Sequence, residues 1–330
     1  MIVGGFPCQD ISIMGKRAGL SGARSGLIAE VMRLLDETSS PFVFLENVPL
    51  LVKNGLRKIV SNLTKRGFTV SWAVIPASSI GAVHIRKRIF ILGRRADRTF
   101  TIKPYVAQVS WATKSEPARM VLNTTADHRL KRVMLLGNSV VPDAVRAAFL
   151  VLSSGFRLTP AETMSISRLA AFKDPDPSCM QVVPKGGEMP RWGHATGSKI
   201  YRLIELPYMA LPSLSLTISP KSFVSKRRQI VENPSRTVTA PIHMSAWSTP
   251  RSVTCGAHVL TERMARDLPT QVRYEEDTPE KLRSGQVSAT FVEWMMGYPK
   301  GWTRMPRGHV SVMPTGYRPN LKKRPAFESL

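Results

Sequence analysis

The sequence predicts an α/β fold built on part of a doubly wound sheet, because strand and helix patterns alternate over its N-terminal part. Short apolar runs at residues 1–3, 41–48 and 68–75 are typical of buried strands, and residues 25–36 and 53–66 have apolar residues at helical spacing. Such alternation favours a mostly parallel sheet covered by helices on both faces. Glycine and proline follow the first strand, so we expect a sharp turn at its C-terminal end, where open α/β sheets place functional groups.

The chain carries a large positive charge. Its 330 residues include 47 lysines and arginines against 23 acidic residues, which gives a formal net charge of +24. Such a charge attracts polyanions over long range, so nucleic acid is the leading partner. We find no apolar run near the ~18 residues that span a bilayer and no secretory signal. We therefore expect an intracellular protein of the cytoplasm, nucleoid or nucleus, without membrane contact. The three cysteines lack metal-ligand spacing, which favours reduced thiols and no metal site.

Cys8 is the first candidate for chemistry. It follows Gly4, Gly5 and Pro7 at the end of the first predicted strand. A thiol on such a turn, with a helix N-terminus after it, can have a lowered pKa and act as a nucleophile. A buried structural cysteine is the alternative interpretation. Residues 15–22 are rich in glycine and basic residues but lack the ending of a P-loop. They favour a mobile lid over nucleic acid beside Cys8 rather than a nucleotide cradle.

Glu46 is the second candidate, because it ends the apolar run of residues 41–48. Burial of a carboxylate should raise its pKa, so Glu46 could hold or deliver a proton near neutral pH. A helix N-cap or a salt bridge to an arginine is an equally good interpretation of an isolated glutamate. Arg86 and Arg88 lie two residues apart at the start of another apolar run, so both should project from one face of a strand. Their guanidinium groups could bind phosphate or a base carbonyl there; a plain basic strand end is the alternative.

Four segments resemble the motifs of DNA (cytosine-5)-methyltransferases of bacterial and phage type, in the order of that family. The Gly-Phe-Pro-Cys-Gln-Asp-Ile-Ser run at residues 5–12 resembles the nucleophile motif, and Glu-Asn-Val at residues 46–48 resembles the family's Glu-Asn-Val motif. Residues 80–93 are similar to the Gln-x-Arg-x-Arg motif, although His84 stands where glutamine is usual. Residues 137–142 resemble the C-terminal Gly-Asn-Ser-Val-x-Pro motif.

The resemblance implies the sheet of an S-adenosylmethionine-dependent methyltransferase and a covalent mechanism on a flipped-out cytosine in double-stranded DNA. In that mechanism Cys8 attacks C6, Glu46 protonates N3, and Arg86 and Arg88 hold the base. The cofactor contacts that we expect on this basis come from Pro7, Asn138, Ser139 and Val140. The DNA contacts that we expect come from Gln9, Ser12, Lys16, Arg17, His84, Lys226, Arg227 and Arg228.

The family's cofactor-binding half is not found in the sequence. That half begins with a Phe-x-Gly-x-Gly turn and an acidic residue for the ribose, and neither feature is present. The first strand should therefore expose an apolar edge that native proteins normally cover. We expect a partner polypeptide that completes the sheet, an incomplete gene model, or a decayed copy that binds DNA without catalysis. An RNA-directed enzyme of the same fold is a further alternative.

The character of the chain changes after residue 150. Residues 151–305 are proline-rich, and we expect a mainly irregular or β region that recognises the DNA target, after a catalytic core at 1–150. Residues 244–252 and 290–302 resemble phage-type segments that there precede the Gly-Asn-Ser motif, so their order is rearranged here. The apolar residues near 291–296 should form a helix that packs its apolar face. We expect the basic residues 306–330 to be disordered.

Overall fold

The computed structural model describes residues 1–6, 27–95, 116–122, 128–158, 160–163, 172–204, 247–250, 268–273 and 285–304. Several predicted site residues lie outside these ranges. They are Pro7, Cys8, Gln9, Ser12, Lys16, Arg17, Lys226, Arg227 and Arg228. The predicted tail at 306–330 also lies outside them.

The described residues form nine strands and eight α-helices. The strands are β1 (Ile2–Gly5), β2 (Phe42–Asn47), β3 (Phe68–Pro76), β4 (Lys87–Arg95), β5 (Met120–Val121), β6 (Met180–Val182), β7 (Trp192–Thr196), β8 (Lys199–Leu203) and β9 (Gln286–Val287). The helices are α1 (Ile28–Thr38), α2 (Leu51–Asn54), α3 (Leu56–Lys65), α4 (Arg129–Asn138), α5 (Pro142–Ser153), α6 (Pro160–Thr163), α7 (Leu268–Arg273) and α8 (Ala289–Met295).

Seven strands form one mixed sheet in the order β1-β2-β4-β3-β7-β8-β6. Strand β1 is parallel to β2, and β4 lies antiparallel between β2 and β3. The short connection from β3 to β4 explains this reversal, because a parallel neighbour needs a crossover of about a dozen residues or more. The α/β class is therefore confirmed, and β1, β2 and β3 run in the same direction. The expectation of a mostly parallel sheet is wrong, because five of the six pairings between neighbouring strands of the described sheet are antiparallel.

Both faces of the sheet are covered, as the apolar runs predict. On one face, α1 and α3 pack against alternate residues of the central strands, including Val43, Trp72 and Ile91. On the other face, α5 packs against residues such as Phe44 and Phe90. Successive side chains of a strand point to opposite faces, so a run that is apolar throughout requires a layer on each side.

The predicted helix at 53–66 is divided into α2 and α3. Gly55 lies between the two helices with extended backbone at φ 172°, and its carbonyl accepts the Ile59 amide at 3.2 Å. The glycine thus ends one helix and begins the next. The interruption was not predicted because the apolar spacing continues across it.

Strands β6, β7 and β8 extend the same sheet, although they lie beyond residue 150. Strand β7 pairs antiparallel with β3, with Ala73 opposite Trp192. A Cβ atom at Gly193 would lie 2.3 Å from the Trp72 ring, so this close approach requires glycine. The Trp72 indole also donates to the Pro190 carbonyl at 2.9 Å. These contacts tie the β6–β8 meander to the central strands.

Among the described residues, one helical stretch is long and apolar enough to cross a membrane, Arg129–Ser153. This corrects the expectation that no such run exists. The apolar window is 56% buried inside the protein, and the stretch is divided into α4 and α5, the second of which packs on the sheet. Burial of this extent is typical of helices in a protein core, which can be as apolar as a helix that spans a membrane.

Candidate active site

Glu46 lies near the C-terminal end of β2, beside the end of β1. In the parallel pairing of these strands, Gly5 is the partner of Glu46. A Cβ atom at position 5 would lie 3.2 Å from the Glu46 Oε2 atom, so a larger residue would press on the carboxylate. Cys8 follows Gly5 by three positions in the sequence. The structure therefore sets the predicted carboxylate against the strand end that precedes the predicted nucleophile.

Glu46 forms an ion pair with Arg88 on the neighbouring strand β4. The Arg88 Nε and Glu46 Oε1 atoms are 2.9 Å apart, and each side chain is 22% exposed. Burial raises the pKa of Glu46 above its ordinary value, although the positive charges of Arg88 and Arg86 and the hydrogen bond from Arg88 oppose the rise. The predicted direction of the pKa shift is confirmed, and the alternative of a salt bridge is present as well. The carboxyl group can therefore carry a proton closer to neutral pH and still reach solvent.

Asn47 connects the end of β2 to the segment before Pro7. Its side chain is 2% exposed, its Nδ2 donates to the Phe6 carbonyl at 3.1 Å, and its Oδ1 accepts the Val48 amide at 2.8 Å. The chain is thereby fixed at Phe6, the last described residue before the predicted nucleophile. Sequence reasoning gave Asn47 no role, and the signal was an amide side chain at the end of a buried strand.

Arg86 has a different environment from Arg88. It is 4% exposed, and its φ of 24° lies in the left-handed region. Its guanidinium donates to the carbonyls of Gly137 at 3.1 Å, Pro250 at 3.2 Å and Ser139 at a shorter distance. These acceptors include carbonyls at the C-terminal end of α4, which lack partners inside the helix. The expected pair of base-binding arginines is thus divided: Arg88 contacts Glu46, and Arg86 holds the backbone.

The turn at Asn138, Ser139 and Val140 is held from two sides. Arg86 binds the Ser139 carbonyl, and the Tyr298 hydroxyl donates to the Val140 carbonyl at 2.9 Å. The Ser139 hydroxyl donates to the Leu136 carbonyl. The Asn138 residue is exposed, so its amide can hydrogen-bond a ligand. Of the expected cofactor contacts in the described ranges, Asn138 is the residue with an exposed polar side chain.

His84 is fully buried. Its Nε2 lies 3.1 Å from the Met295 carbonyl, and burial lowers its pKa to about 3. The backbone beside it is also paired, because the Trp247 amide donates to the Val83 carbonyl at 2.7 Å. His84 has no exposed surface here, so the expected contact with DNA would require this residue to move.

Helix α8 packs its apolar face as predicted, with Phe291, Met295 and Met296 fully buried. The same helix carries a buried carboxylate that sequence reasoning did not single out. Glu293 pairs with Arg132 of α4 at 3.0 Å, with side chains 0% and 3% exposed. In the sequence, the position of Glu293 among the apolar residues of this helix was the feature that could have indicated a buried carboxylate.

Glu293 also fixes the chain that follows α8. It accepts the amides of Gly301 at 2.7 Å and Thr303 at 2.8 Å. Burial alone would raise the pKa of Glu293, but the hydrogen bonds from Thr303, Arg132 and Gly301 outweigh it and lower the pKa. The carboxylate is therefore held in its charged form, as expected for a buried charge that is fully paired.

A sequence profile described as C-5 cytosine-specific DNA methylase matches residues 1–138. Over this segment the chain is similar to the C-5 cytosine-specific DNA methylases. The methylase segment (residues 1–138) contains Gly5, Glu46, Asn47 and Arg88, the residues that the structure brings together at the ends of β1 and β2. The resemblance inferred from the four motifs is thereby confirmed.

Relatives extend the likeness beyond the methylase segment. The type II methyltransferase M.CviJI of Paramecium bursaria Chlorella virus IL3A is 28% identical over 309 residues, which cover 90% of this chain and 79% of that protein. The type II methyltransferase M.Sau3AI of Staphylococcus aureus is 33% identical over 111 residues, but these cover 31% of this chain and 27% of that protein. The chain thus matches most of the viral relative and about a quarter of the bacterial one.

Two solved structures share weaker likeness with the chain. A DNMT2 mutant from Spodoptera frugiperda has a TM-score of 0.27 and 17% identity, over 41% of this chain and 44% of that one. The methyltransferase EhMeth of Entamoeba histolytica has a TM-score of 0.24 and 19% identity, over 46% and 43%. The assignment of the fold class rests on the sheet and helices themselves.

Proposed function

We propose that this protein transfers a methyl group from S-adenosylmethionine to C5 of a flipped-out cytosine in double-stranded DNA. The observation that carries the proposal is the Glu46–Arg88 pair beside Gly5, at the strand end that precedes Pro7 and Cys8 within the methylase segment. A carboxyl with a raised pKa at such an edge suits proton transfer to a ring nitrogen.

In this mechanism Glu46 and Cys8 act on two different atoms of the cytosine ring in the same activation step. Glu46 in its protonated form gives its proton to N3 of the cytosine, and the Cys8 thiolate forms a bond to C6. The electron pair released from the C5–C6 double bond makes C5 nucleophilic. Bound S-adenosylmethionine supplies an electrophilic methyl group at that point. A water molecule then accepts the C5 proton, which restores the double bond and breaks the bond between sulfur and C6, and the N3 proton returns to Glu46.

Arg88 orients the Glu46 carboxyl through their ion pair, and in this mechanism it also holds the base. Arg86 supports the same site through the backbone of the Asn138 turn. The target base must leave the duplex, because its C5 and C6 atoms cannot be reached inside the stack. DNA contacts are proposed for Gln9, Ser12, Lys16, Arg17, Lys226, Arg227 and Arg228, within a chain of net charge +24 that favours a polyanion.

A further part of the proposal is a polypeptide segment that pairs with β1 and completes the cofactor site. Within the described ranges strand β1 ends the sheet order, and Met1 and Val3 are 57% and 59% exposed. An exposed apolar edge offers unpaired backbone groups to another strand. Titration of the chain with S-adenosylmethionine in a calorimeter tests this part, because tight binding by the chain alone would contradict the need for a second segment.

The covalent step is tested with duplex DNA that carries 5-fluorocytosine, whose fluorine cannot leave as a proton and so traps the adduct. We expect capture by the unmodified protein, in the presence of cofactor and of the second segment where the titration shows that it is needed, and none by Cys8→Ser. Cys179→Ser is the matched control, since Cys179 is a partly exposed free thiol directly before β6, and this variant should be captured normally. Capture of Cys8→Ser would refute the assignment of the nucleophile. DNA binding without capture, by an unmodified protein that binds S-adenosylmethionine in the titration, would favour a catalytically inactive DNA-binding remnant instead.

A further inference from the structure

The loop after α8 presents an exposed tryptophan on a rigid support. Trp302 is 64% exposed, and its indole stacks on the Tyr298 ring, with centroids 5.9 Å apart and planes inclined by 21°. The Trp302 amide donates to the Pro299 carbonyl at 3.0 Å, and the Arg304 amide donates to the Gly301 carbonyl at 2.9 Å. The ring is therefore supported on one side, while most of its surface faces solvent.

This support is anchored to the candidate active site and to the core. Tyr298 donates its hydroxyl to the Val140 carbonyl in the turn that follows Asn138. On the other side of the loop, the buried Glu293 carboxylate accepts the amides of Gly301 and Thr303. A loop fixed at both points loses little entropy when a ligand stacks on it, which favours binding.

Two cationic residues lie close to Trp302 in the sequence. Lys300 and Arg304 are both exposed and lie two positions to either side of Trp302. An aromatic face with cations at its edge is the combination with which proteins bind nucleic acid bases, because the ring stacks on the base and the cations bind the phosphates. An exposed tryptophan that served only the core would instead be covered, since its large apolar area is the usual reason for burial.

We propose that Trp302 is a stacking surface for an unpaired nucleobase of the bound DNA, with Lys300 and Arg304 on the adjoining phosphates. The proposal rests on the proposed function, since it assigns a further contact to the same DNA substrate. It adds a base contact that neither the four motifs nor the predicted basic clusters contain. The adenosyl group of the cofactor also has a planar ring, but S-adenosylmethionine carries a net positive charge, which Lys300 and Arg304 would repel.

The test compares two single-stranded oligodeoxynucleotides of equal length, one with normal bases and one with abasic residues. Both carry the same phosphates, so only stacking distinguishes them. At fixed salt and without cofactor, Trp302→Ala should weaken binding of the normal strand about tenfold and leave binding of the abasic strand unchanged. Trp302→Phe keeps an aromatic face and should retain most of the affinity. The exposure of Trp302 means that these variants should fold, and their thermal unfolding checks this.

Lys300→Gln provides the matched control for the phosphate contact. It should weaken binding of both strands and reduce the dependence of log affinity on log salt by about 0.7. The stacking proposal is overturned if Trp302→Ala weakens both strands equally, weakens neither, or weakens only the binding of S-adenosylmethionine. Methyl transfer does not enter these measurements, so loss of the stacking effect in a protein that still methylates DNA would refute this inference alone.

Discussion

Glu46 and Arg88 form an ion pair between neighbouring antiparallel strands, with 2.9 Å between Oε1 and Nε, yet the pKa of Glu46 is raised. The two effects oppose each other, because burial disfavours the carboxylate and the arginine favours it. The balance leaves a carboxyl group that can be protonated nearer to neutral pH. Arg88 thus both positions Glu46 and limits how far its pKa rises.

We predict that Arg88→Gln shifts the pH dependence of methyl transfer. Loss of the cation removes the effect that lowers the pKa of Glu46, so its pKa should rise further. If protonated Glu46 is the acid, the decline of kcat/KM at high pH should then move to higher pH. Lys87→Gln is the control, because Lys87 is exposed at the neighbouring position of β4 and should not move the profile. Incorporation of labelled methyl groups into DNA across a pH series measures the profile. An unchanged profile would show that Arg88 does not influence the pKa of the catalytic acid.

Replacement of Glu46 by glutamine should lower kcat by about 10²- to 10⁴-fold, the range for loss of a general acid. The amide keeps the shape of the side chain but cannot donate the proton. Single-turnover methylation with saturating DNA gives the rate. A rate within threefold of the unmodified protein would exclude general acid catalysis by Glu46.

Asn47→Ala should destabilise the protein by about 1–3 kcal/mol, because the Phe6 carbonyl and the Val48 amide each lose a buried partner. Urea unfolding measures the loss. Asn62→Ala is a suitable comparison, since the Asn62 amide donates to the Lys58 carbonyl on the exposed side of α3 and should cost less than about 0.5 kcal/mol. Equal effects of the two substitutions would contradict the anchoring role of Asn47.

The buried pair of Arg132 and Glu293 should be far more sensitive than a surface pair. Glu293→Gln leaves the Arg132 charge buried and weakens the loop at Gly301 and Thr303, so we expect a loss of about 3–5 kcal/mol in the free energy of unfolding. Glu37→Gln breaks the exposed pair with Arg33 on α1 and should cost under about 1 kcal/mol. A calorimetric scan of both variants decides between these expectations.

Acid should destabilise the protein through two buried histidines. Burial lowers the pKa of His194 to about 4 and that of His84 to about 3, so both are neutral in the folded protein. The unfolded chain binds protons at these positions near its ordinary pKa of about 6.5. Their stabilising contribution is complete above that pH and is lost as the pH falls, by about 1.4 kcal/mol per pH unit for each histidine.

The pH effect can be assigned with His194→Gln. The His194 Nδ1 lies 2.9 Å from the Ser71 hydroxyl on the paired strand, and the amide can replace that contact without titrating. The slope of the free energy of unfolding against pH between about 6 and 4 should then fall by up to about 1.4 kcal/mol per pH unit. His128→Asn, at an exposed residue with φ 46°, should leave the slope unchanged. An unaltered slope in His194→Gln would show that another group is responsible.

Sequence predicted the elements that depend on local pattern and missed those that depend on distant partners. The buried runs of β2 and β3, the apolar face of α8 and the burial of Glu46 follow from spacing alone. The role of Arg86 does not, because its acceptors at Gly137, Ser139 and Pro250 lie 51, 53 and 164 positions away. The antiparallel direction of β4 follows from the short connection between β3 and β4. The order of the motifs along the sequence does not predict this direction.

The hydrogen bond from Tyr298 to Val140 joins residues 158 positions apart. During translation the N-terminal part of a chain emerges first and can begin to fold before the rest is made. The turn after Asn138 would therefore have the support of Arg86 alone until the segment after α8 leaves the ribosome. A chain that ended before residue 285 would still contain β1 to β4, but its Asn138 turn would lack the hydrogen bond from Tyr298. The site is therefore complete only after the segment that follows α8 has been synthesised.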